Sequence, residues 1–256
     1  MNKSILVTGA NGFIGRFLGD FLDAENFTIT QTYRSLPESP EKNQHVIGDI
    51  NADTQWQKAL RDVDAVVHLA ARVHIMEENE PQPLNAFRQV NTLGTLNLAR
   101  QAVDSGVKRF VYLSTIKVNG EQTDNKPFFA DDVPDPQEPY AVSKYEAEQQ
   151  LFKLSQETGL EVVVIRPALV YGPGVKGNFL RLMQLVSREW PLPLGGIHNQ
   201  RSLVSITNLC SLISHCLNHN NDAGQVFLVS DGQDLSTTEL FDKIAYALHK
   251  PSRLFH

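Results

Sequence analysis

Cysteine, long apolar stretches and positive charge are all scarce in this sequence, and each scarcity argues against a class of protein. The two cysteines, Cys210 and Cys216, lie six residues apart in a predicted helix. This spacing fits no metal motif, and so few thiols in a chain this long indicate a reducing compartment. No apolar run approaches the roughly 18–20 residues of a membrane span. The net charge of −6 disfavours nucleic acid as a partner, because phosphate attraction requires a basic surface.

The remaining composition is ordinary for a globular protein, with 41% hydrophobic and 20% charged residues. A chain of 256 residues is long enough for one substantial core and a smaller lobe. Met1-Asn2-Lys3 leads directly into core sequence with no signal peptide, so we expect a cytoplasmic protein that does not associate with membranes.

Short apolar runs alternate with helical periodicity over the first two thirds of the chain. The predicted strands are Ser4–Thr8, Thr28–Tyr33, His45–Ile47, Ala65–Leu69, Phe110–Ser114 and Val162–Ile165. The predicted helices are Ile14–Ala24, Trp56–Arg61, Leu84–Ser105 and Tyr140–Thr158. This alternation predicts an α/β fold with a Rossmann-type, doubly wound parallel sheet, whose ligands bind at the carboxyl ends of the strands.

The texture changes after Arg166-Pro167, where segments rich in glycine and proline begin. We therefore predict a dinucleotide-binding domain over residues 1–167 and a smaller substrate-binding lobe over residues 168–256, interleaved with the last sheet elements. The lobe contains a predicted helix Phe179–Ser187, a strand Gln225–Val229 and a helix Ser236–Leu248. The final "KPSRLFH" adds no closing element, which indicates that further residues normally follow.

Three glycines spaced three residues apart follow the first strand, in Gly9-Ala10-Asn11-Gly12-Phe13-Ile14-Gly15. Gly9 permits a sharp turn, Gly12 lets the backbone approach a pyrophosphate, and Gly15 lets the helix pack closely on the strand. The amides of the first helical turn would then face the phosphates. A glycine turn without a ligand is the alternative, but the position at the first strand–helix junction favours a dinucleotide.

The end of the second strand bears on which dinucleotide is preferred. NAD-binding chains usually place a carboxylate there, for the ribose 2′-hydroxyl, whereas this chain has Tyr33-Arg34. A guanidinium suits a 2′-phosphate and favours NADP over NAD; the alternative is a solvated loop arginine. Asp49 after the third strand either contacts the adenine or caps a following helix.

Tyr140 and Lys144 lie four residues apart at the start of a predicted helix that follows Pro139. That spacing places the phenol and the ammonium on one helical face. A free phenol has a pKa of about 10, and an adjacent ammonium together with an oxidised nicotinamide would stabilise the phenolate as a base. The alternative is an ordinary pair on a surface helix.

A strand-terminal hydroxyl completes a possible catalytic set. Phe110–Ser114 leads into Thr115 at the predicted ligand edge, where the Thr115 hydroxyl can bond the same substrate oxygen that Tyr140 deprotonates. Such hydroxyls are also common as structural caps. The glycine turn, the Tyr140–Lys144 pair and Thr115 are weak signals separately, but all three fall at one edge of the predicted sheet.

These motifs together resemble the extended short-chain dehydrogenase/reductase family, in its nucleotide-sugar epimerase and dehydratase branch. Further markers of the resemblance, over nearly the whole chain, are Gly48-Asp49-Ile50, His68-Leu69-Ala70-Ala71, Asn91 with Gly94-Thr95, and Arg166-Pro167. The resemblance implies Thr115, Tyr140 and Lys144 as catalytic residues. The cofactor-binding residues expected from the motifs and the resemblance are Gly9, Asn11, Gly12, Phe13, Ile14, Gly15, Tyr33, Arg34, Asp49, Ile50, Leu69, Ala70, Ala71, Asn91, Tyr140, Lys144 and Pro167.

The resemblance also implies where a nucleotide-sugar substrate binds. Asn178 and Arg201 match residues that meet its diphosphate, and Lys117 either lines the sugar pocket or is a solvated loop lysine. Dehydratases of this branch carry Asp-Glu after the catalytic hydroxyl residue, whereas Ile116-Lys117 stands here, which argues against 4,6-dehydratase activity. A homodimer through the helices near Leu84–Ser105 and Tyr140–Thr158 is expected, although their apolar faces could equally be core.

Three functions remain open on the sequence. The first is an NAD(P)-dependent nucleotide-sugar epimerase, acting at C4 of a UDP-sugar by transient hydride transfer. The second is an NADPH-dependent reductase of 4-keto nucleotide sugars, which Tyr33-Arg34 favours. The third is a cofactor-binding regulatory protein without catalysis, against which the intact Thr115, Tyr140 and Lys144 argue.

Overall fold

The computed structural model describes residues 2–35, 43–73, 82–124 and 126–255. The chain divides into two compact units. The first comprises Met1–Pro167 together with Cys210–Leu228, and the second comprises Ala168–Leu209 together with Val229–His256.

A seven-stranded sheet in the order β3-β2-β1-β4-β5-β6-β9 forms the centre of the first unit. Its strands are β1 Ser4–Thr8, β2 Thr28–Tyr33, β3 Gln44–Val46, β4 Ala65–His68, β5 Arg109–Leu113, β6 Glu161–Pro167 and β9 Val226–Val229. Pairing is parallel from β3 through β6. Strand order reverses between β1 and β4, which is the position where doubly wound sheets bind ligands. The expected α/β architecture is thereby confirmed.

Helices cover both faces of this sheet, as its apolar strands require. They are α1 Phe13–Ala24, α2 Pro83–Phe87, α3 Thr95–Asp104, α4 Pro139–Thr158 and α6 Ile206–Asn218, of which the part from Cys210 onward belongs to the first unit. Leu6, Val66, Phe110 and Val164 of four adjacent strands form one continuous core with Leu151 of α4 and its neighbours. None of the helices in the described part of the chain is long and apolar enough to cross a membrane.

The predicted helix Trp56–Arg61 is wrong, because the segment forms successive turns. Its apolar spacing reflects burial, since Trp56 and Leu60 are fully buried in the core. The Ala59 and Leu60 amides both donate to the Trp56 carbonyl, at 2.9 and 3.0 Å, which makes a turn and not a helix. Side chains of α3 supply further partners: the Trp56 amide donates to Gln101 Oε1 at 2.9 Å, and the Thr54 carbonyl accepts from Asn97 and Gln101, each at 2.8 Å.

The predicted helix Leu84–Ser105 is three segments. A π-helical stretch, Arg88–Gly94, separates α2 from α3. Such widened turns occur frequently at functional sites. This one presents Asn91, fully buried, toward the loop after β4.

The second unit contains α5 Gly177–Ser187 and α7 Thr237–Ala247, which pack together around Val186, Phe241 and Ile244. Two strands that the sequence pattern did not predict, β7 Leu169–Tyr171 and β8 Leu203–Ser205, pair in parallel. Each is three residues long, too short for a period-2 pattern to stand out. After α7, Leu254 forms a bridge with Leu192.

Candidate active site

The glycine turn after β1 has the geometry of a dinucleotide cradle. Gly9 has a φ of +67°, and a Cβ there would lie 2.9 Å from the Ala70 amide nitrogen. A Cβ on Gly15 would overlap the Gly9 carbonyl and lie 2.8 Å from the Ala10 Cα. The N-cap of α1 is Gly12, which has no side chain to bond the first-turn amides. The residues present therefore fit a pyrophosphate seated on the start of α1.

A buried hydrogen-bonded chain lies directly beneath this turn. Thr8 Oγ1 accepts from the Leu69 and Ala70 amides, each at 3.2 Å, and lies 2.7 Å from His68 Nδ1. The Thr8 hydroxyl proton therefore points to Nδ1, and Nε2–H of His68 donates to Thr95 Oγ1 at 2.9 Å. Burial, with a contribution from Lys144, lowers the pKa of His68 to about 3, which keeps the ring neutral.

Asn91 joins the loop that follows β4 to α4. Its Oδ1 accepts from the Arg72 amide at 2.8 Å, and its Nδ2 donates to the Arg72 carbonyl and to Ser143 Oγ, each at 3.0 Å. The side chain is fully buried, and its amide is engaged by protein partners. Asn91 thus ties Leu69–Arg72, at the carboxyl end of β4, to the residue preceding Lys144.

Lys144 is deeply buried, with 2% of its surface exposed, so it is no ordinary surface lysine. Its Nζ lies 4.1 Å from the centre of the Tyr112 ring on β5. Burial lowers the pKa of Lys144 to about 7, against an opposing contribution from Glu148. A lysine with this pKa is charged or neutral near physiological pH depending on small changes around it.

Tyr140 occupies the first turn of α4, half-buried, with its ring 6.1 Å from Phe87 in an edge-to-face contact. Burial raises the pKa of its phenol to about 12. The expected lowering of this pKa by Lys144 is not seen in the protein alone, where burial sets the direction of the shift. A phenolate at this position would need further positive charge nearby.

Thr115 ends the extended segment after β5 and caps the short 3₁₀ turn Ile116–Val118, accepting from the Lys117 amide at 3.3 Å. The Thr115 hydroxyl is thus a structural cap, and it can still act on a substrate, because accepting a bond leaves its proton able to donate to a ligand. The preceding Ser114 donates to Glu148 of α4. This contact and the Lys144–Tyr112 contact bring the end of β5 against the face of α4 that carries Lys144.

Lys117 projects from the same turn and forms ion pairs with two carboxylates. Its Nζ lies 2.6 Å from Glu138 Oε2 and 3.2 Å from Glu121 Oε2. Glu138 is the N-cap of α4 and directly precedes Pro139-Tyr140. Lys117 therefore links the turn of Thr115 to the helix start of Tyr140, and its predicted contact with a sugar remains a prediction.

The opposite end of the predicted cofactor cleft, after β2 and β3, is exposed to solvent. Arg34 Nε lies 2.9 Å from Asp49 Oδ1, with both side chains nearly four-fifths exposed. Tyr33 donates from its hydroxyl to Gln31 at 2.6 Å. Asp49 caps no helix, because turns follow it. Ile50 packs against Gly94, where a Cβ would lie 2.5 Å from the Ile50 Cγ2.

Asn178 and Arg201 belong to the second unit. Asn178 is exposed at the start of α5, and Arg201 is exposed while its backbone bridges to Leu235. Their expected contacts with a nucleotide diphosphate remain predictions.

Residues 5–230 match the model of the NAD dependent epimerase/dehydratase family, which covers all but the first four residues of the first unit. The chain belongs to this family. The resemblance to extended short-chain dehydrogenases/reductases is therefore confirmed, as is the expectation of an NAD(P)-dependent enzyme.

Individual members of the family act on nucleotide sugars. The chain is 49% identical over 255 residues to a UDP-glucose 4-epimerase of Vibrio cholerae, covering 98% of this chain and 78% of that protein. It is 30% identical to a GDP-6-deoxy-D-mannose reductase of Pseudomonas aeruginosa, covering 96% and 80% of the two chains. Among solved structures, RMD from Pseudomonas aeruginosa complexed with NADPH matches with a TM-score of 0.79 at 27% identity, covering 99% and 87%. The chain is an epimerase or oxidoreductase of nucleotide-sugar type.

Two groups near the candidate site were absent from the predicted site residues. Glu148 and Arg166 form a buried ion pair behind Ser114. Only the spacing of four residues from Lys144 to Glu148 signals this in the sequence, because nothing local reveals that β6 brings Arg166 to α4. His68 was noted as a family marker, but its buried links to Thr8 and Thr95 required the fold.

Proposed function

We propose that this chain interconverts the C4 epimers of a UDP-sugar, with Thr115, Tyr140 and Lys144 as its catalytic set. The 49% identity to a UDP-glucose 4-epimerase supports the substrate. The observation that carries the catalytic set is the burial of Lys144, with its Nζ 4.1 Å from the Tyr112 ring, one helical turn beyond Tyr140. A lysine is costly to bury, and a role in chemistry explains its place.

In this proposal the protein side chains hold and move one proton. Tyr140 accepts the proton of the sugar hydroxyl at its phenolic oxygen and later returns it. Thr115 donates a hydrogen bond to the same sugar oxygen and orients it. Lys144, as an ammonium, favours the phenolate and holds the ribose beside it. The glycine turn would hold the pyrophosphate of NAD(P), and the bound cofactor would serve as hydride acceptor and donor.

Replacing Tyr140 with Phe tests the catalytic set directly. We expect interconversion of UDP-glucose and UDP-galactose to fall by about 10³-fold, since a positioned acid–base group contributes about 10²–10⁴-fold. The dissociation constant for NAD should change by less than about threefold, because the cradle at Gly9 to Gly15 is untouched. Turnover is measured by a coupled assay and cofactor binding by calorimetry.

Tyr145→Phe is the matched control, because Tyr145 lies on the same helix but five residues on, away from the face of Tyr140. It should retain turnover. If Tyr140→Phe retained turnover as well, the proposed catalytic set would be wrong.

A reductase of 4-keto nucleotide sugars is the second candidate, favoured by Arg34 at the end of β2 in place of a carboxylate. An epimerase interconverts UDP-sugars without net cofactor consumption. A reductase consumes one NADPH for each keto-sugar reduced. Following NADPH absorbance with each substrate class distinguishes the two.

We further propose a cytoplasmic homodimer that pairs through α3 and α4. The proposed contact face includes Leu93, which is apolar but 39% exposed just before α3. The compartment is proposed because both cysteines are free thiols, buried within α6. Light scattering after gel filtration measures the mass, and Leu93→Glu should shift it toward the monomer if this face forms the contact.

A further inference from the structure

We propose that Glu148 is a positioning residue of the active site, which fixes the Thr115 turn against α4 and holds Lys144 in its ammonium form. The inference rests on the proposed function, since it concerns the same Thr115, Tyr140 and Lys144. It adds a residue that makes no direct contact with the reacting atoms.

The burial of Glu148 needs an explanation other than stability. Only 1% of its surface and 3% of the surface of Arg166 are exposed. Arg166 binds both carboxylate oxygens, Nε to Oε1 at 3.1 Å and Nη2 to Oε2 at 2.5 Å. Removing two charges from water costs several kcal/mol each, and apolar residues of similar volume often serve stability equally well.

The pair holds both ends of the turn that carries Thr115. Ser114, which precedes Thr115, donates to Glu148 Oε1. Asn119, which follows the turn, accepts at Oδ1 from Arg166 Nη1 at 2.9 Å. The Ser114 amide also donates to the Ile165 carbonyl of β6 at 2.7 Å. Thr115 therefore lies in a short segment fixed on both sides by one buried ion pair.

Glu148 also supplies the negative charge that faces Lys144. It follows Lys144 by four residues on α4, so both side chains project from one helical face. The structure also places His68 on β4, which is neutral with a pKa of about 3, and Tyr112 on β5 near Lys144. Tyr140 precedes Lys144 by about one turn of α4. Burial raises the pKa of both phenols, so they are neutral in the protein alone. The carboxylate of Glu148 opposes the desolvation that lowers the pKa of Lys144.

Glu148→Gln removes the charge and retains the size of the side chain. We expect kcat to fall at least 10-fold with little change in KM, because the turn and the ammonium are disturbed rather than the substrate contacts. The alkaline limb of the pH–kcat profile should move to lower pH by about one unit, because loss of a nearby opposite charge lowers the pKa of a lysine.

Glu146→Gln is the matched control on the same helix. Glu146 also binds an arginine through both oxygens, with Arg88 Nε 2.8 Å from Oε2 and 3.1 Å from Oε1, but this pair is partly exposed and lies away from Ser114. Its kcat and pH profile should match those of the wild type within about twofold. Equal losses in both variants would overturn the proposal.

Two further variants separate positioning from folding. Ser114→Ala keeps the ion pair and should lower kcat severalfold without moving the pH profile. Glu148→Gln combined with Arg166→Met removes both charges of the ion pair, so Arg166 is no longer buried without its carboxylate. The double variant should recover melting temperature relative to Glu148→Gln, while kcat stays low and the alkaline limb stays displaced. Recovery of wild-type kcat in that double variant would show that the pair serves folding alone.

A readout without substrate keeps this inference distinct from the proposed function. The ammonium of Lys144 can be titrated by NMR of ¹³C-labelled lysine in the wild type and in Glu148→Gln. A lower pKa in the variant supports the inference even if no UDP-sugar is turned over, which would count against the proposed function alone. An unchanged pKa overturns the role of Glu148 in holding the ammonium.

Discussion

The two ends of the predicted cofactor cleft use charge in opposite ways. At the nicotinamide end, Lys144, Glu148 and Arg166 are almost completely buried. At the adenine end, Arg34 and Asp49 form an ion pair that is nearly four-fifths exposed. Buried charges interact strongly and are costly to disturb, whereas exposed pairs contribute little and are screened by salt. The proposed catalytic groups are thus held by strong buried interactions, whereas the arginine proposed to set cofactor preference is held weakly.

The largest change in activity is expected from Lys144→Met, which removes the buried charge and nearly retains the side-chain volume. Turnover should fall at least 10²-fold, because the phenolate of Tyr140 loses its ammonium. The melting temperature should stay equal or rise, since a desolvated charge is removed while Glu148 keeps Arg166. Steady-state kinetics and differential scanning calorimetry measure the two effects.

Lys153→Met serves as the control for that variant. Lys153 lies on the same helix, but its side chain is 70% exposed and its pair with Glu157 is long, at 4.0 Å. Both turnover and melting temperature should remain unchanged. A large fall in melting temperature for Lys144→Met would show that the buried ammonium stabilises the fold and would contradict the comparison.

A smaller effect is expected from His68, which lies beneath the glycine turn. Its pKa in the folded protein is about 3, against about 6.5 in an unfolded chain. The unfolded chain therefore binds an additional proton between these values. The stability that His68 contributes is complete above pH 6.5 and is lost as the pH falls, at about 1.4 kcal/mol for each pH unit.

His68→Gln should flatten this dependence. Between pH 6.5 and pH 5 the wild type should lose about 2 kcal/mol more unfolding free energy than the variant, although the variant is less stable at pH 8 because the links to Thr8 and Thr95 are altered. Urea unfolding at each pH gives the values. His198→Gln, at an exposed histidine, should retain the wild-type slope, and parallel slopes in all three proteins would contradict the assignment to His68.

The sequence predicts the features that depend on neighbouring residues, and it does not predict the buried contacts between distant segments. Strand β1 and the glycine turn follow from local pattern and are found where predicted. The prediction of a helix at Trp56 was wrong because burial alone produces amphipathic spacing, and side chains of α3 bond the Trp56 amide and the Thr54 carbonyl where the segment begins. The Glu148–Arg166 pair was invisible because its members come from α4 and β6, 18 residues apart, and only sheet formation brings them together.

Two charged residues that the sequence predicts as ligand contacts are paired with carboxylates in the structure. Arg34 reads in the sequence as a ligand for a 2′-phosphate, but the structure places Asp49 on its guanidinium. The sequence leaves Lys117 as either a pocket lysine or a solvated loop lysine, and the structure pairs it with Glu121 and Glu138. Asp49 and Glu138 come from other segments of the chain, so residue type alone could not reveal these pairs.

The smallest effect is expected at Arg34. Arg34→Ala should weaken NADP binding about fivefold and leave NAD binding unchanged, because an exposed ion pair to a phosphate contributes about 1 kcal/mol or less.

Asp49→Asn should have the opposite effect, strengthening NADP binding severalfold, since the guanidinium loses its competing carboxylate. Both changes should shrink when the salt concentration is raised, in contrast to the effects at Lys144 and Glu148. Calorimetric titration with each cofactor at low and high salt measures this, with the exposed Arg61→Ala as control. Equal losses of NAD and NADP affinity in Arg34→Ala would show that the guanidinium contacts a part common to both cofactors, and the preference for NADP would then have no structural basis at this end of the cleft.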